Sequence, residues 1–99
     1  MYYVIEGIDR PDNRMRREAA RPAHLERARL LLEEGRLLLV GPLPAIDAAD
    51  PGPAGVTGSL MVAEFESLDG ARTWIDADPY VVEGVFASVT VRRFRKVLP

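Results

Sequence analysis

The spacing of the apolar residues changes from a strand period to a helix period and back again, twice along the 99-residue chain. Tyr2–Asp9 has the aromatic and β-branched composition of a strand. From about Met15 to Glu34 the apolar residues recur at helical spacing, and Gly35 follows in the position of a C-terminal cap. Pro22 either begins this helix or kinks a helix that begins near Met15.

Three later segments have the composition of strands. Leu37–Gly41 is apolar throughout and ends at a Gly-Pro pair, and Ser59–Glu66 alternates between two faces. The last strand alternates over Val85–Val91, and the break of alternation at Arg92–Arg93 predicts a bulge or a strand that leaves the sheet.

A second helix and a further helical turn separate the last two strands. Ser67 is typical of an N-cap for the helix, and Asp78 followed by Pro79 predicts the start of the turn. The resulting order, β-α-β-β-α-β, predicts a single α+β domain over residues 1–99, a ferredoxin-like sandwich. Both helices then cover one face of a four-stranded antiparallel sheet.

Composition excludes several functional classes. The chain has no cysteine, which excludes disulfides, thiolate zinc sites and iron–sulfur clusters, and its single histidine leaves no ligand spacing for another metal. A net charge of −2 does not favour binding to the negatively charged backbone of nucleic acids. No apolar run approaches the roughly 20 residues of a membrane span, and a strand-like start leaves no room for a signal peptide. No nucleotide or cofactor motif is present. We expect a cytoplasmic protein without a cofactor, a nucleic-acid partner or a membrane partner.

The predicted sheet carries more apolar surface than two helices can cover. Leu37–Val40 and the first half of the next strand are apolar on both faces, which favours a homodimer packed sheet to sheet. The alternative is a monomer whose sheet is shielded by the connection Pro42–Thr57. This connection is rich in proline and glycine and has no strand or helix period, as is typical of lids, binding loops and interface elements.

The predicted topology brings distant parts of the chain to one end of the sheet. The start of the first helix holds Arg21 and His24, the third strand begins near Gly58 and Ser59, and Asp78 follows the second helix. His24 is the only side chain whose ordinary pKa suits proton transfer near neutrality. These residues are therefore the candidates for a site.

Each candidate also has a structural interpretation. His24 is either a catalytic group or a hydrogen-bonded core residue, and Asp78 either orients the imidazole or only caps a helix. Arg21 either clamps a substrate carboxylate or forms a surface ion pair. Gly58 and Ser59 either offer a hydroxyl and backbone N–H groups to an anion or serve as turn residues.

Seven short segments together resemble the YciI (YCII-related) family, over nearly the whole chain. They are Arg21–Leu25, Gly35–Leu38, Gly41–Pro42, Asp50–Gly52, Gly55–Ser59, Ala63–Glu66 and Asp78–Val81. The resemblance implies a ferredoxin-like domain of the dimeric α/β-barrel type and a His–Asp pair at His24 and Asp78, with Ser59 nearby. One branch of the family resembles a dehydrochlorinase of chlorinated hydroxyquinones. The Arg-rich stretch 14–17 departs from the family pattern.

Two hypotheses follow. The first is a cofactor-free acid–base enzyme, of the lyase, isomerase or dehydrohalogenase kind, that acts on a small cyclic or anionic organic molecule. His24 is then the base or acid, Asp78 orients it, and Arg21, Gly58 and Ser59 hold developing negative charge under the loop. The second is a dimeric module without catalytic activity that binds a small molecule or a partner protein.

Overall fold

The computed structural model describes residues 1–99 and contains four strands and three helices. The elements are β1 (Tyr2–Asp9), α1 (Arg14–Glu33), β2 (Leu37–Pro44), β3 (Val56–Glu64), α2 (Leu68–Asp76), α3 (Pro79–Val82) and β4 (Phe86–Phe94). The strands lie in the order β2-β3-β1-β4, and every neighbouring pair is antiparallel. The predicted α+β ferredoxin-like fold is confirmed. None of the helices combines the length and the apolar character that a membrane crossing requires.

The main core lies between the sheet and the helices α1 and α2. Nine buried residues form it: Tyr3, Ile5, Ala28, Leu31, Met61, Ala63, Phe65, Ala71 and Ile75. Tyr3 and Ile5 of β1 pair with Ala63 and Met61 of β3, so these four side chains share the face that the helices cover. A second, smaller cluster joins the first half of α1 to α3 and the start of β4, and it consists of Ala20, Tyr80, Val85 and Phe86.

The helix ends follow the sequence signals. At the end of α1 the amides of Gly35 and Arg36 donate to the carbonyls of Leu32 and Leu31, and Gly35 takes a φ of 73° that favours glycine. Pro22 lies inside α1, so the alternative of a helix that begins before it is the right one. The Ser67 hydroxyl accepts from the Gly70 amide at the start of α2, as its predicted role as N-cap requires.

The connection between β2 and β3 is shorter than predicted. β2 was expected to end at Gly41 but continues to Pro44, which pairs with Val56 at the start of β3. Proline is tolerated here because β2 is an edge strand, and an edge strand forms ladder hydrogen bonds on one side only. The remaining connection is residues 45–55, which contain a 3₁₀ turn at Gly52–Ala54.

The bulge predicted in the last strand is at the wrong end. Arg92 and Arg93 pair in regular register with β1, and the pairing continues to the partners Phe94 and Tyr2. The register shifts instead at the start of β4, between the partners of Ile8 and Asp9. The two arginines can continue a regular strand because they remain exposed at an edge, where a break in apolar alternation leaves no polar group buried.

The face of the sheet opposite the helices is largely apolar on β2 and β3, and β1 adds Val4 and Ile8 with Glu6 between them. Val4, Val62 and Leu39 form one cross-strand row, and Leu60 lies in the next. Leu39 is 47% exposed, whereas Val62 is buried by its neighbours. On β4 the corresponding positions are polar, with Ser88, Thr90 and Arg92. We refer to the patch of Val4, Leu39, Leu43, Leu60 and Val62 as the outer apolar face.

Candidate active site around His24 and Asp78

Asp78 is a fully buried carboxylate at the start of α3. Its Oδ2 atom accepts from the Tyr80 amide at 3.0 Å, which caps the helix, and lies 2.8 Å from the Nδ1 atom of His24. Its Oδ1 atom accepts from the Arg27 guanidinium at 3.0 Å. Three donors therefore surround this carboxylate, which compensates for its removal from water. Its Oδ2 atom therefore caps α3 and orients the imidazole at once.

His24 points its two ring nitrogens into different environments. Nδ1 donates to Asp78, so the neutral imidazole carries its free lone pair on Nε2. Nε2 forms no hydrogen bond within the chain. Every side-chain nitrogen or oxygen that is fully shielded from solvent has a hydrogen-bond partner. Nε2 therefore keeps some contact with solvent, although His24 as a whole is only 6% exposed. The geometry is that of an oriented base with one open position.

The plane of the imidazole is fixed by Tyr80. The His24 and Tyr80 rings stack with centroids 3.9 Å apart and an interplanar angle of 9°. Phe86 in turn packs edge to face against the Tyr80 ring. Arg27 holds Asp78 from the opposite side, where its guanidinium also donates to the Trp74 carbonyl and lies 4.2 Å from the Trp74 ring centroid. The imidazole–carboxylate pair is therefore held by packing as well as by hydrogen bonds.

Arg17 connects four parts of the chain beside this pair. Its guanidinium donates to the carboxylate of Asp9, to the Gly58 carbonyl, to the Ser59 hydroxyl at 2.7 Å and to the Tyr80 hydroxyl at 3.2 Å. The side chain is 14% exposed, and that of Asp9 is 4% exposed. In so little water these charge-assisted bonds position the Ser59 and Tyr80 hydroxyls firmly.

Burial raises the pKa of the Tyr80 hydroxyl above its ordinary value, because the phenolate would be poorly solvated there. The Arg17 guanidinium works in the opposite direction through its charge and its hydrogen bond, and the charge of Arg21 adds to it. Burial outweighs both. Tyr80 is consequently a neutral phenol at physiological pH, able to donate a hydrogen bond.

Two spaces of very different size border the site. His24 and Ser59 line a cavity of about 10 Å³ together with Val40, Met61, Ile75 and Phe86. A volume of about 10–15 Å³ is what a single water molecule needs. On the far side of Arg17 lies a cleft of about 400 Å³ between residues 9–14 and residues 51–56. The cavity at the imidazole therefore holds at most a water molecule, whereas the cleft that Arg17 lines is large enough for a ligand.

The predicted site residues come together only in part. His24, Asp78 and Ser59 meet as expected, but Arg21 is exposed and takes part in no hydrogen bond or ion pair. Gly58 and Ser59 are not turn residues, since they pair with β1 on one side and with β2 on the other. A Cβ atom at Gly58 would lie 2.1 Å from the Gly7 carbonyl oxygen, so glycine is required there by the close approach of β1.

The long connection does not cover the imidazole. Its residues 51–55 line the cleft beyond Arg17, whose walls include neither His24 nor Asp78. The roles of Arg21 and Gly58 in ligand binding, and of the loop as a lid, stay predictions. No group of three His, Asp or Glu side chains that could hold a metal ion is present.

Sequence reasoning missed Arg17, Tyr80 and Arg27. Arg17 and Arg27 lie on α1 seven residues before and three residues after His24, which places all three on one side of the helix. Tyr80 follows Asp78 by two residues, in the turn that Asp78 caps. Helical spacing from His24 is the signal that could have identified the two arginines.

The chain is similar to known proteins along its whole length. The family model for the YCII-related domain matches residues 1–95. The protein YciI of Escherichia coli (strain CFT073) is 56% identical over 97 residues, which cover 98% of this chain and 99% of that protein. An uncharacterised protein of Haemophilus influenzae is 50% identical with the same coverage. The solved structure of 5-chloro-2-hydroxyhydroquinone dehydrochlorinase from Burkholderia phenoliruptrix, in complex with 2,5-dihydroxybenzoquinone, superposes with a TM-score of 0.82 and 30% identity, covering 96% of this chain and 94% of that one.

Proposed function

The chain belongs to the YCII-related family, and from its membership and the geometry of the site we propose that it is a cofactor-free acid–base enzyme. Its substrate is a small ring compound that carries hydroxyl or carbonyl oxygens. His24 is the base, through Nε2, and Asp78 is its orienting partner. The observation that carries the proposal is the hydrogen bond of 2.8 Å from Nδ1 to a fully buried carboxylate, which leaves Nε2 free.

Asp78 supports base catalysis in two ways. Because Nδ1 donates to it, the lone pair is held on Nε2, and the imidazolium formed after proton transfer is stabilised by the same carboxylate. Arg27 and the Tyr80 amide hold Asp78 in place, so the imidazole does not have to be oriented again in each turnover. Positioned bases of this kind contribute about 10²–10⁴-fold in rate.

The reaction favoured by these groups is an elimination. Nε2 takes the proton of a ring hydroxyl and returns it to the carbon that bears the halogen, which gives the keto tautomer. It then takes a second hydroxyl proton, the released electron pair forms a new carbonyl and a shifted ring double bond, and halide departs with its bonding electrons. The similarity in fold to a dehydrochlorinase of a chlorinated hydroxyhydroquinone supports this reaction class. All of its steps can proceed with Nε2 as the only proton acceptor that the chain supplies.

A second copy of the chain is part of the proposal. On the outer apolar face Leu39 is exposed and Leu43 is half-buried, whereas the opposite face of the sheet packs its apolar residues against the helices. A homodimer packed through this face removes that surface from water, which is the main driving force for association. The small cavity at His24 also requires movement of the side chains around it, and Met61 is flexible enough to move aside.

The test combines ligand binding with turnover. His24 is the only histidine, so its imidazole NMR signals are unambiguous, and we expect 2,5-dihydroxybenzoquinone to shift them. With 5-chloro-2-hydroxyhydroquinone as substrate, His24→Asn is expected to lower the rate of chloride release at least about 100-fold. Arg29→Gln, an exposed change on the same helix, is the matched control and leaves the rate unchanged.

Two outcomes count against the enzyme. Chloride release that is equal in His24→Asn and the unaltered protein refutes the role of His24. Ligand-dependent shifts of the His24 signals without turnover of any chlorinated hydroxyquinone identify the chain as a binding module without catalytic activity.

A further inference from the structure

Three hydrogen-bonding positions without a partner belong to residues that are linked through Arg17 and through the stacked rings of His24 and Tyr80. Nε2 of His24 lacks a donor, as described above. The hydroxyl oxygens of Ser59 and Tyr80 both accept from Arg17, but neither hydroxyl hydrogen has an acceptor in the chain. Ser59 is 8% exposed and Tyr80 is 1% exposed. Buried hydroxyls rarely leave a donor unused, and an unused one points to a ligand or a catalytic role.

Arg17 determines where these two hydrogens point. Its N–H groups occupy a lone pair on each hydroxyl oxygen, so each O–H bond is directed away from the guanidinium. Nε and Nη2 of Arg17 donate to Asp9, to the Gly58 carbonyl and to Ser59. Nη1 donates to Tyr80, so only one of the five N–H groups has no acceptor in the chain. Arg17 is thus a positioning residue, and the two hydroxyls are the groups that can touch a ligand.

The residues that carry the acceptor and the two donors are neighbours. Ser59 and His24 line the same cavity, and the Tyr80 ring lies against the imidazole with a centroid separation of 3.9 Å. The raised pKa of Tyr80 keeps its hydroxyl protonated at neutral pH. A ligand held by all three must present an acidic hydrogen to Nε2 and, close to it, an oxygen that accepts two hydrogen bonds.

We propose that the hydroxyls of Ser59 and Tyr80, oriented by Arg17, form an oxyanion hole for the enolate or phenolate oxygen of the substrate. This inference rests on the proposed function and names its substrate class: ring compounds in which the acidic hydrogen neighbours a carbonyl or hydroxyl oxygen. As Nε2 takes the proton, the electron pair of the broken bond shifts toward that ring oxygen, which becomes negative. Both hydroxyl hydrogens stay on Ser59 and Tyr80 and hold the charge by hydrogen bonding alone.

The experiment measures binding and turnover in single-hydroxyl variants. Tyr80→Phe keeps the ring that stacks on His24, and Ser59→Ala removes one small hydroxyl. Tyr3→Phe is the control, because Tyr3 is also a buried phenol but lies in the main core. Each site variant is expected to weaken the binding of 2,5-dihydroxybenzoquinone about tenfold or more and to lower the kcat for chloride release about 100-fold. The control changes neither quantity.

The visible absorption of the bound quinone gives a readout that a merely structural role would not move. Loss of either donor is expected to shift the spectrum toward that of the protonated ligand, since the ionised ring oxygen is less well stabilised. Unchanged affinity and spectrum in both variants overturn the oxyanion hole, and so does failure of the unaltered protein to bind the quinone. The proposed function fails separately, through His24→Asn, which tests the base and leaves both hydroxyls in place.

Discussion

Replacing Asp78 by alanine removes a cap, an ion pair and an imidazole partner in one step. Loss of the N-cap of α3 costs about 1 kcal/mol. Hydrogen bonds that involve a charged group contribute about 1.5–3 kcal/mol each. The bond to Arg27 belongs at the low end because the Arg27 side chain is 26% exposed and water replaces part of the interaction, whereas the His24 side chain is 7% exposed and loses its only acceptor. We expect a total loss of at least about 4 kcal/mol in the free energy of unfolding.

The measurement is urea denaturation followed by circular dichroism, with the slope m checked for constancy. For a domain of this size, a loss of about 4 kcal/mol corresponds to a decrease in Tm of about 20 °C. Asp76→Ala is the matched control: its carboxylate is 55% exposed and lies 3.4 Å from Arg72, a surface pair worth at most about 1 kcal/mol. An Asp78→Ala variant no less stable than Asp76→Ala would show that the buried network does not stabilise α3.

Asp78→Asn separates stability from chemistry. Asparagine caps helices well, but its amide has one acceptor oxygen where Asp78 uses two. If that oxygen faces Arg27, the Tyr80 amide loses its capping acceptor and Nδ1 of His24 must accept from the side-chain amide. The imidazole hydrogen then moves to Nε2, where it blocks the base. If the oxygen faces His24, the amide hydrogens oppose Arg27. We expect a smaller loss of stability than in Asp78→Ala and a decrease in kcat of up to about 10⁴-fold. Full activity in Asp78→Asn would refute the role of Asp78 in setting the tautomer.

Two further predictions concern the outer apolar face and the alkaline pH range. In sedimentation equilibrium, Leu39→Glu is expected to convert an assembly of two 11.0 kDa chains to monomers. Met15→Glu, a change at an 85% exposed position of α1, is the control and leaves the mass unchanged. Equal masses for both variants would contradict dimerisation through this face. Because the pKa of Tyr80 is raised above 10.0, the folded protein keeps a proton that the unfolded chain releases, and this contribution to stability is complete below pH 10.0 and is lost as the pH rises further. The free energy of unfolding should then fall more steeply above pH 10.0 in the unaltered protein than in Tyr80→Phe, and parallel pH profiles would show that burial does not perturb this phenol.

The fold could be predicted from local signals because each element carries its own. Ser67, Gly35 and the Asp78–Pro79 pair mark helix ends through chemistry that acts within a few residues. The errors arose where the outcome depends on the position of a strand in the sheet. The prolines of β2 are compatible with a strand only because β2 is at an edge, and the regular end of β4 depends on Arg92 and Arg93 remaining in solvent.

The site could be predicted only as far as topology brings residues to the same end of the sheet. Topology places His24, Ser59 and Asp78 at that end, but it does not distinguish Arg21 from Arg17, which lie one helical turn apart on α1. What distinguishes them is a partner 42 residues away, the Ser59 hydroxyl, together with the buried Asp9 carboxylate. Such long-range pairings are invisible to residue spacing, because the two ends of each hydrogen bond belong to different elements.

The contacts of Arg17 also explain why folding and chemistry are coupled in this chain. The Arg17 guanidinium joins three elements of the fold. It binds Asp9 at the end of β1, Gly58 in β3 and Tyr80 in α3. A substitution at Arg17 would therefore loosen the packing and the proposed oxyanion hole together, so its effect on activity cannot be assigned to either cause. Tyr80→Phe and Ser59→Ala avoid this ambiguity because each removes one hydroxyl and leaves the bond from Arg17 to Asp9 intact, which makes them the informative variants for the chemistry of the site.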